Sequence, residues 1–303
     1  TVPNRLISLS GDSRVDETGL FPPEGDIILD WLERHDIRWR VYHAGISFFT
    51  LLGRYASVLG PNFKSVKHLA RDLKEEADNE FPQVILIEPS YYDAPHFGTD
   101  QPNDNHAPLA VGFGEEFLRQ VYRALTINPE RWQKTVTILT YDEHGGFFDH
   151  VPPLPIGYSP PPGYKYSPFT STGVRVPSIV ISPFTSSKSV FKGNMDHTSI
   201  LQFIAERFAP TESGYNESVN ERKNQGIESV SKVVDLDTPR TDIPIVPSMI
   251  IDRPARLGLD NPQIEKGLMQ QAFEEASLKM IEENPDLTRE QFPELVHWSL
   301  TRR

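Results

Sequence analysis

Thr135-Val136-Thr137-Ile138-Leu139-Thr140, running into Tyr141-Asp142-Glu143-His144-Gly145-Gly146-Phe147-Phe148-Asp149-His150, is the stretch on which the reading of this chain turns. Five of its first six residues are β-branched and three of the six are apolar, and they predict a buried strand. Asp142 and Glu143 follow at the carboxyl end of that strand, where open α/β sheets bind their ligands. Adjacent carboxylates repel each other unless a cation or a proton lies between them. Their oxygens suit Mg²⁺, Ca²⁺ or Mn²⁺, and Zn²⁺ where histidines join. The competing reading is a solvated acidic loop. His144, Asp149, His150 and two glycines that let the backbone turn tightly or approach a ligand weigh against it.

Outward from this stretch the pattern is α/β. Thr1 to Gly11 predicts a short helix capped by Thr1 or Val2, with Pro3 in its first turn and Gly11 at its end. A hydroxyl at such an N-terminus sits in partial positive charge that favours phosphate or an alkoxide, although Thr1 also reads as a plain cap. Helical spacing over 26–35, 65–79 and 115–127 alternates with strand signals over 37–42 and 83–87. His43 and Glu88 stand at the carboxyl ends of those two strands. Residues 93–108 form a polar loop with His96, Asp100, Asn103, Asp104, Asn105 and His106. Residues 151–176 are rich in Pro, Gly, Ser and Tyr and read as an ordered flap or a passive excursion. Pro177 to Ile181 predicts another buried strand, and Asp196 caps a helix that begins beside His197. After Pro210 the sequence turns polar and reads as a linker or surface wrap, with helices expected over 261–283 and 288–301. The division is thus 1–210 as a catalytic domain and 211–303 as a linker and helical extension.

The 303 residues are enough for one large α/β domain or two smaller ones. A net charge of −12 argues against a broad nucleic-acid footprint. With no cysteine there is no disulfide framework and no thiol chemistry. No apolar run approaches a transmembrane length.

Six segments occur in a telling order: Thr1-Val2-Pro3-Asn4-Arg5-Leu6, Asn103 to Pro108, Tyr141 to Pro153, Gly173 to Pro177, Ser182 to Phe184, and Asp196 to Ile200. Together they resemble the bacterial phosphoesterase family that contains phospholipases C and a class of acid phosphatases, within the alkaline phosphatase superfamily. The resemblance covers roughly Thr1 to Phe208. It implies a mostly parallel sheet with helices on both faces, and metal-dependent hydrolysis of phosphate esters, phospholipids among them. It implies that Thr1 is the nucleophile, that Asp142 and Glu143 hold a divalent metal together with Thr1, and that His106 contacts the phosphoryl group. His43 and His197 are further candidates for phosphate contact or proton transfer. Asp149 and His150 belong to the motif with direct and supporting roles both open. The resemblance also implies a Glu-Asn pair upstream and favours a periplasmic or secreted parent. That pair is absent from this sequence, and the expectation is that the first strand of the sheet is missing with it. Two other readings compete: a catalytically incomplete module that binds phosphate or lipid, and a hydrolase in which the terminal amine of Thr1 activates its own hydroxyl.

Overall fold

The computed structural model describes residues 1–19, 21–96, 101–247 and 266–301. Asp100 of the polar loop and the first residues expected in the helix over 261–283 lie outside them. In chain order the described elements are α1 (Val2–Ser10), α2 (Ile28–Arg34), β1 (Trp39–His43), α3 (Tyr55–Val58), β2 (Phe63–Ser65), α4 (Leu69–Glu75), β3 (Val84–Glu88), α5 (Gly112–Leu125), α6 (Pro129–Trp132), β4 (Thr137–Thr140), β5 (Ser178–Ile181), α7 (Thr198–Phe208), α8 (Glu217–Asn224), α9 (Leu268–Glu283), α10 (Pro285–Gln291) and α11 (Pro293–Thr301). They fall into two compact units. The first comprises Thr1–Thr18, Gly25–Ile37 and Asn128–Pro244, and the second Gly19–Glu24, Arg38–Ile127 and Ile245–Arg303.

The second unit holds a parallel three-stranded sheet in the order β2-β1-β3. Its central strand buries Trp39, Val41, Tyr42 and His43, as expected of a parallel strand covered on both faces. Phe63 meets Trp39 and Phe49 edge-on at 5.9 and 5.6 Å, an aromatic geometry that adds to simple burial. Polar groups lock α4 onto this sheet. Asp72 accepts from Lys64 Nζ at 2.9 Å and from Tyr42 Oη at 2.9 Å. Burial alone would raise the Asp72 carboxyl, but its bonds to Lys64, Arg71 and Tyr42 outweigh that and hold it at about 2.

In the first unit β4 and β5 pair antiparallel, Thr137 with Ile181 through Thr140 with Ser178. The expected mostly parallel sheet is therefore met in β1, β2 and β3 and corrected at β4 and β5. A parallel return needs a crossover, usually a helix. The proline-rich chain between β4 and β5 forms no helix. The two strands were also expected to be buried. All four residues of β4 are half-buried, and Ser178 and Ile179 of β5 are exposed, because the pair has no third strand among the described residues.

Other differences are local. The helix expected over 288–301 is two helices, since Pro293 has no N–H to continue α10. Thr288 lies inside the first of these helices, and its hydroxyl donates to the carbonyls of Met280 and Asn284 at 3.0 and 2.7 Å. The stretch after Pro210, read as a linker, contains α8, which buries Val219 and Arg222.

Candidate active site

Thr1 stands at the N-cap of α1, and no side-chain capping bond engages its hydroxyl. Gly11 ends the helix at φ 78°, a left-handed conformation that suits glycine. Val2, Leu6 and Ile7 form its buried face, and α1 packs against α7. One turn into α1, Arg5 sits where its backbone N–H bonds Thr1 carbonyl at 3.0 Å. Its Nε donates to Asp142 Oδ2 at 3.2 Å, with both side chains 23% exposed. The first turn of α1 is thus held at the carboxyl end of β4, across 137 residues of sequence.

The loop after β4 is fixed by its own polar groups. Glu143 Oε2 accepts from Gly145 N at 3.1 Å, and Gly145 and Gly146 turn at φ 65° and 77°, conformations that disfavour a side chain. Asp149 accepts from Val151 N at 3.0 Å and from Arg175 Nε and Nη2 at 2.6 and 2.8 Å. The Arg175 guanidinium, with help from the Val151 amide, holds the Asp149 carboxyl well below the usual range. His150 is 83% exposed, with Nδ1 3.6 Å from Asp149 Oδ1. The proline-rich segment that follows is ordered: Tyr158 pairs with Phe169 as an isolated bridge, and its hydroxyl accepts from Ser13 N at 2.9 Å.

His197 Nε2–H donates to Tyr141 carbonyl at 2.9 Å, one residue before Asp142. Its neighbour Asp196 accepts from Thr198 N and Oγ1 at 2.8 and 2.6 Å, capping the start of α7. Arg222, from α8, places Nε 3.4 Å from Asp196 Oδ2, with the two side chains 7% and 14% exposed. Breaking a buried pair leaves an uncompensated charge. Arg222→Leu is therefore expected to destabilise the fold by on the order of 3 kcal/mol, as read by urea unfolding; an unchanged midpoint and slope would show that the pair contributes nothing. Arg5, Arg175 and Arg222 had no role in the expectations from sequence. The first two lie inside the ordered motifs, so a signal for them existed, whereas Arg222 carried none.

The second unit holds the other candidates, His106 and His43. His106 Nδ1–H donates to Ala107 carbonyl at 2.6 Å, and its ring stacks on Tyr92 at 5.0 Å. Its Nε2 lies 3.8 Å from Asp93 Oδ2. Burial pushes the Asp93 carboxyl up, and the Asp104 charge adds to this against the opposing influence of His106 and His96. Asp104 braces the loop by accepting from Tyr92 N at 2.8 Å.

His43 is the register partner of Glu88 at the strand ends. Glu88 is buried and accepts from Ser47 Oγ, Phe48 N and Tyr91 Oη at 2.5, 3.1 and 3.1 Å. His43 is buried too, with Nδ1–H donating to Gly45 carbonyl at 2.7 Å. Burial lowers its pKa from the ordinary 6.5, against the Gly45 bond. The unfolded chain then binds the proton more readily than the native one. The stability from neutral His43 is complete above pH 6.5 and is lost as pH falls toward its lowered folded value. Between pH 7 and 5 the unfolding midpoint is expected to drop, and His43→Asn should flatten that drop; parallel pH profiles for both proteins would exclude His43 as its source.

Asp142 and Glu143 suit a hard divalent cation in kind, being adjacent, partly exposed carboxylates. They are incomplete in number: among the described residues no three His, Cys, Asp or Glu side chains gather as a metal site. A cavity of about 290 Å³ in the first unit, lined by Asp12, Arg14, Asp26, Trp31, Arg34 and Tyr215 among others, is reached from the Ser10 end of α1, away from Thr1.

A model of the Phosphoesterase family matches residues 1–209. This chain belongs to the phosphoesterase family. Among curated proteins it is similar to non-specific phospholipase C6 of Arabidopsis thaliana, 30% identical over 265 residues, which cover 81% of this chain and 49% of the relative. It is 34% identical over 166 residues to the non-hemolytic phospholipase C of Burkholderia pseudomallei (strain K96243), covering 49% of this chain and 22% of that protein. Phospholipase C B of Mycobacterium tuberculosis (strain CDC 1551 / Oshkosh) is 29% identical over 249 residues, covering 69% of this chain and 46% of the relative. The chain spans about half the length of the plant relative and less of the bacterial ones. The phosphoesterase match ends at residue 209, before α8. No helix among the described residues is long and apolar enough to cross a membrane.

Proposed function

We propose that this phosphoesterase hydrolyses phosphate esters through the Thr1 hydroxyl, on a phospholipase C-like or acid-phosphatase-like substrate. The observation that carries the proposal is the Arg5–Asp142 contact, which ties the first turn of α1 to the carboxylate loop. The Thr1 hydroxyl gives its proton to solvent water as its oxygen attacks phosphorus in line, and the bond from phosphorus to the leaving oxygen breaks. The α1 N-terminus offers its N–H groups to the phosphoryl oxygens, and the family resemblance assigns His106 to the same charge. The leaving oxygen takes a proton from a histidine. We assign this to His197, through Nδ1 since Nε2–H is held by the Tyr141 carbonyl beside the carboxylate loop, in preference to His43, which is buried with its Nδ1–H on the Gly45 carbonyl. Water then attacks the phosphothreonine and releases phosphate or a phosphomonoester, returning the Thr1 hydroxyl. A divalent cation held by Asp142, Glu143 and Thr1 would lower the hydroxyl pKa and offset phosphoryl charge. These roles fall within residues 1–210, and 211–303 carries no proposed catalytic side chain. The three parallel strands suit an alkaline-phosphatase-like sheet.

A second reading, a phosphate- or lipid-binding module without turnover, is favoured by the incomplete donor set among the described residues. Turnover of chromogenic phosphate mono- and diesters, with and without chelator, separates the two. Turnover abolished by chelator and restored by a divalent cation supports the enzyme. Phosphate binding with no turnover under any metal supports the module.

A further inference from the structure

We propose that Phe147 and Phe148 are a lipid-facing tip that seats the candidate site on a zwitterionic bilayer surface, an inference resting on the reading of the substrate as a phospholipid. The two rings are 69% and 92% exposed, among the most exposed large apolar side chains of the described residues. Being adjacent, the two rings form one contiguous apolar surface and not two scattered ones, and contiguous exposed apolar surface is what an interaction site presents. They begin four residues after Glu143, so whatever they enter lies close to the proposed chemistry.

The tip is held out rather than loose. Gly145 and Gly146 turn the chain outward at positive φ, and Phe147 N donates to His144 carbonyl at 3.2 Å. On the other side, Asp149 is gripped by Arg175 and Val151 N. Gly145, Gly146, His150, Pro152 and Pro153, the neighbours of the rings along the chain, are exposed as well.

Charge selects the kind of lipid. The carboxylates nearest the tip face cations or donors: Asp149 faces Arg175, Asp142 faces Arg5, and Glu143 takes the Gly145 amide. Two of these three carboxylates thus face a guanidinium, which offsets most of the anionic charge beside the aromatic surface and suits the headgroup level of a neutral bilayer. The chain as a whole carries −12 and is repelled by anionic lipid. Phosphatidylcholine vesicles should accordingly be bound in preference to vesicles rich in phosphatidylserine.

The test uses the 303-residue chain and needs no turnover. Phe148→Trp should show a blue-shifted emission component on phosphatidylcholine vesicles, quenched by brominated acyl chains. Phe147→Ser/Phe148→Ser should lower vesicle partitioning by flotation at least about 10-fold. Its far-UV circular dichroism should match wild type, and its hydrolysis of a soluble chromogenic phosphodiester should stay within about twofold. Equal partitioning of the double variant, or no quenching of the indole introduced by Phe148→Trp, overturns the proposal. So does a concentration-dependent dimer that the double variant abolishes in place of vesicle binding, which would make the tip a contact between copies. Quenching in a chain that hydrolyses nothing would leave the lipid tip standing and remove the hydrolase reading alone.

Discussion

Thr1→Ala is expected to leave the fold intact and to reduce hydrolysis of a soluble phosphodiester by on the order of 10⁴-fold or more, the scale seen when an enzyme loses its nucleophile. On the proposed mechanism, removing the hydroxyl removes the atom that would bond phosphorus. The fold should survive because the Thr1 hydroxyl makes no capping bond to α1. The helix is held instead by Val2, Leu6 and Ile7 in the core and by Gly11 at its end. Steady-state kinetics with burst analysis, alongside thermal unfolding, reads both quantities. A fold-competent alanine variant with near-wild-type turnover would remove Thr1 from the chemistry. Thr1→Ser should retain much of the rate, since it keeps the oxygen. Extending the chain before Thr1 separates this mechanism from one that uses the terminal amine: the phosphoesterase tolerates the extension, whereas an amine-activated hydrolase stops.

Asp142→Asn is expected to lower turnover roughly 10²-fold or more, the scale for losing one preorganised electrostatic group, and to reduce bound divalent metal. The substitution keeps shape and removes charge. Arg5 then faces a neutral amide, and Glu143 is left to attract a cation alone. The effect on stability should be small, about 1 kcal/mol or less, because the Arg5–Asp142 pair is partly solvated. Metal content by elemental analysis and kcat/KM are read on the same preparation. Unchanged metal content with reduced turnover would assign Asp142 to orienting Arg5 and the first turn of α1. Unchanged values of both would leave it a surface ion pair. Arg5→Gln is the companion variant: it frees Asp142 of its guanidinium while keeping both proposed metal carboxylates, so its metal content should not fall.

The parts of the fold that are local were legible. Pro3 and Gly11 bracket α1 because proline in the first turn and a left-handed glycine at the end act over a few residues, whereas the expected Thr1 cap makes no side-chain bond. The runs 37–42 and 83–87 appear as β1 and β3 within a residue or two. Where the reading failed, a weaker local pattern was preferred to a stronger one. The helix expected to start at Thr288 is instead opened by Pro285, and Pro293 opens a second one. α8 was missed because its buried residues are few and one of them is an arginine, so it shows no apolar stripe. The direction of β5 was beyond reach, since strand direction depends on the path of the chain that connects it.

Sequence alone determined the candidate chemistry: a hydroxyl at a helix start, two neighbouring carboxylates after a strand, and the ordered motifs that mark a phosphoesterase. Side-chain identity and short-range backbone preference suffice for that. Tertiary structure alone decided the partners: Arg5 on Asp142, Arg175 on Asp149, Arg222 on Asp196 and the His197 ring on Tyr141 carbonyl. Each joins groups at least 26 residues apart. Their meeting is fixed by how α1, α7 and the β4–β5 pair pack, because long-range ion pairs and hydrogen bonds form only after burial has brought their segments together.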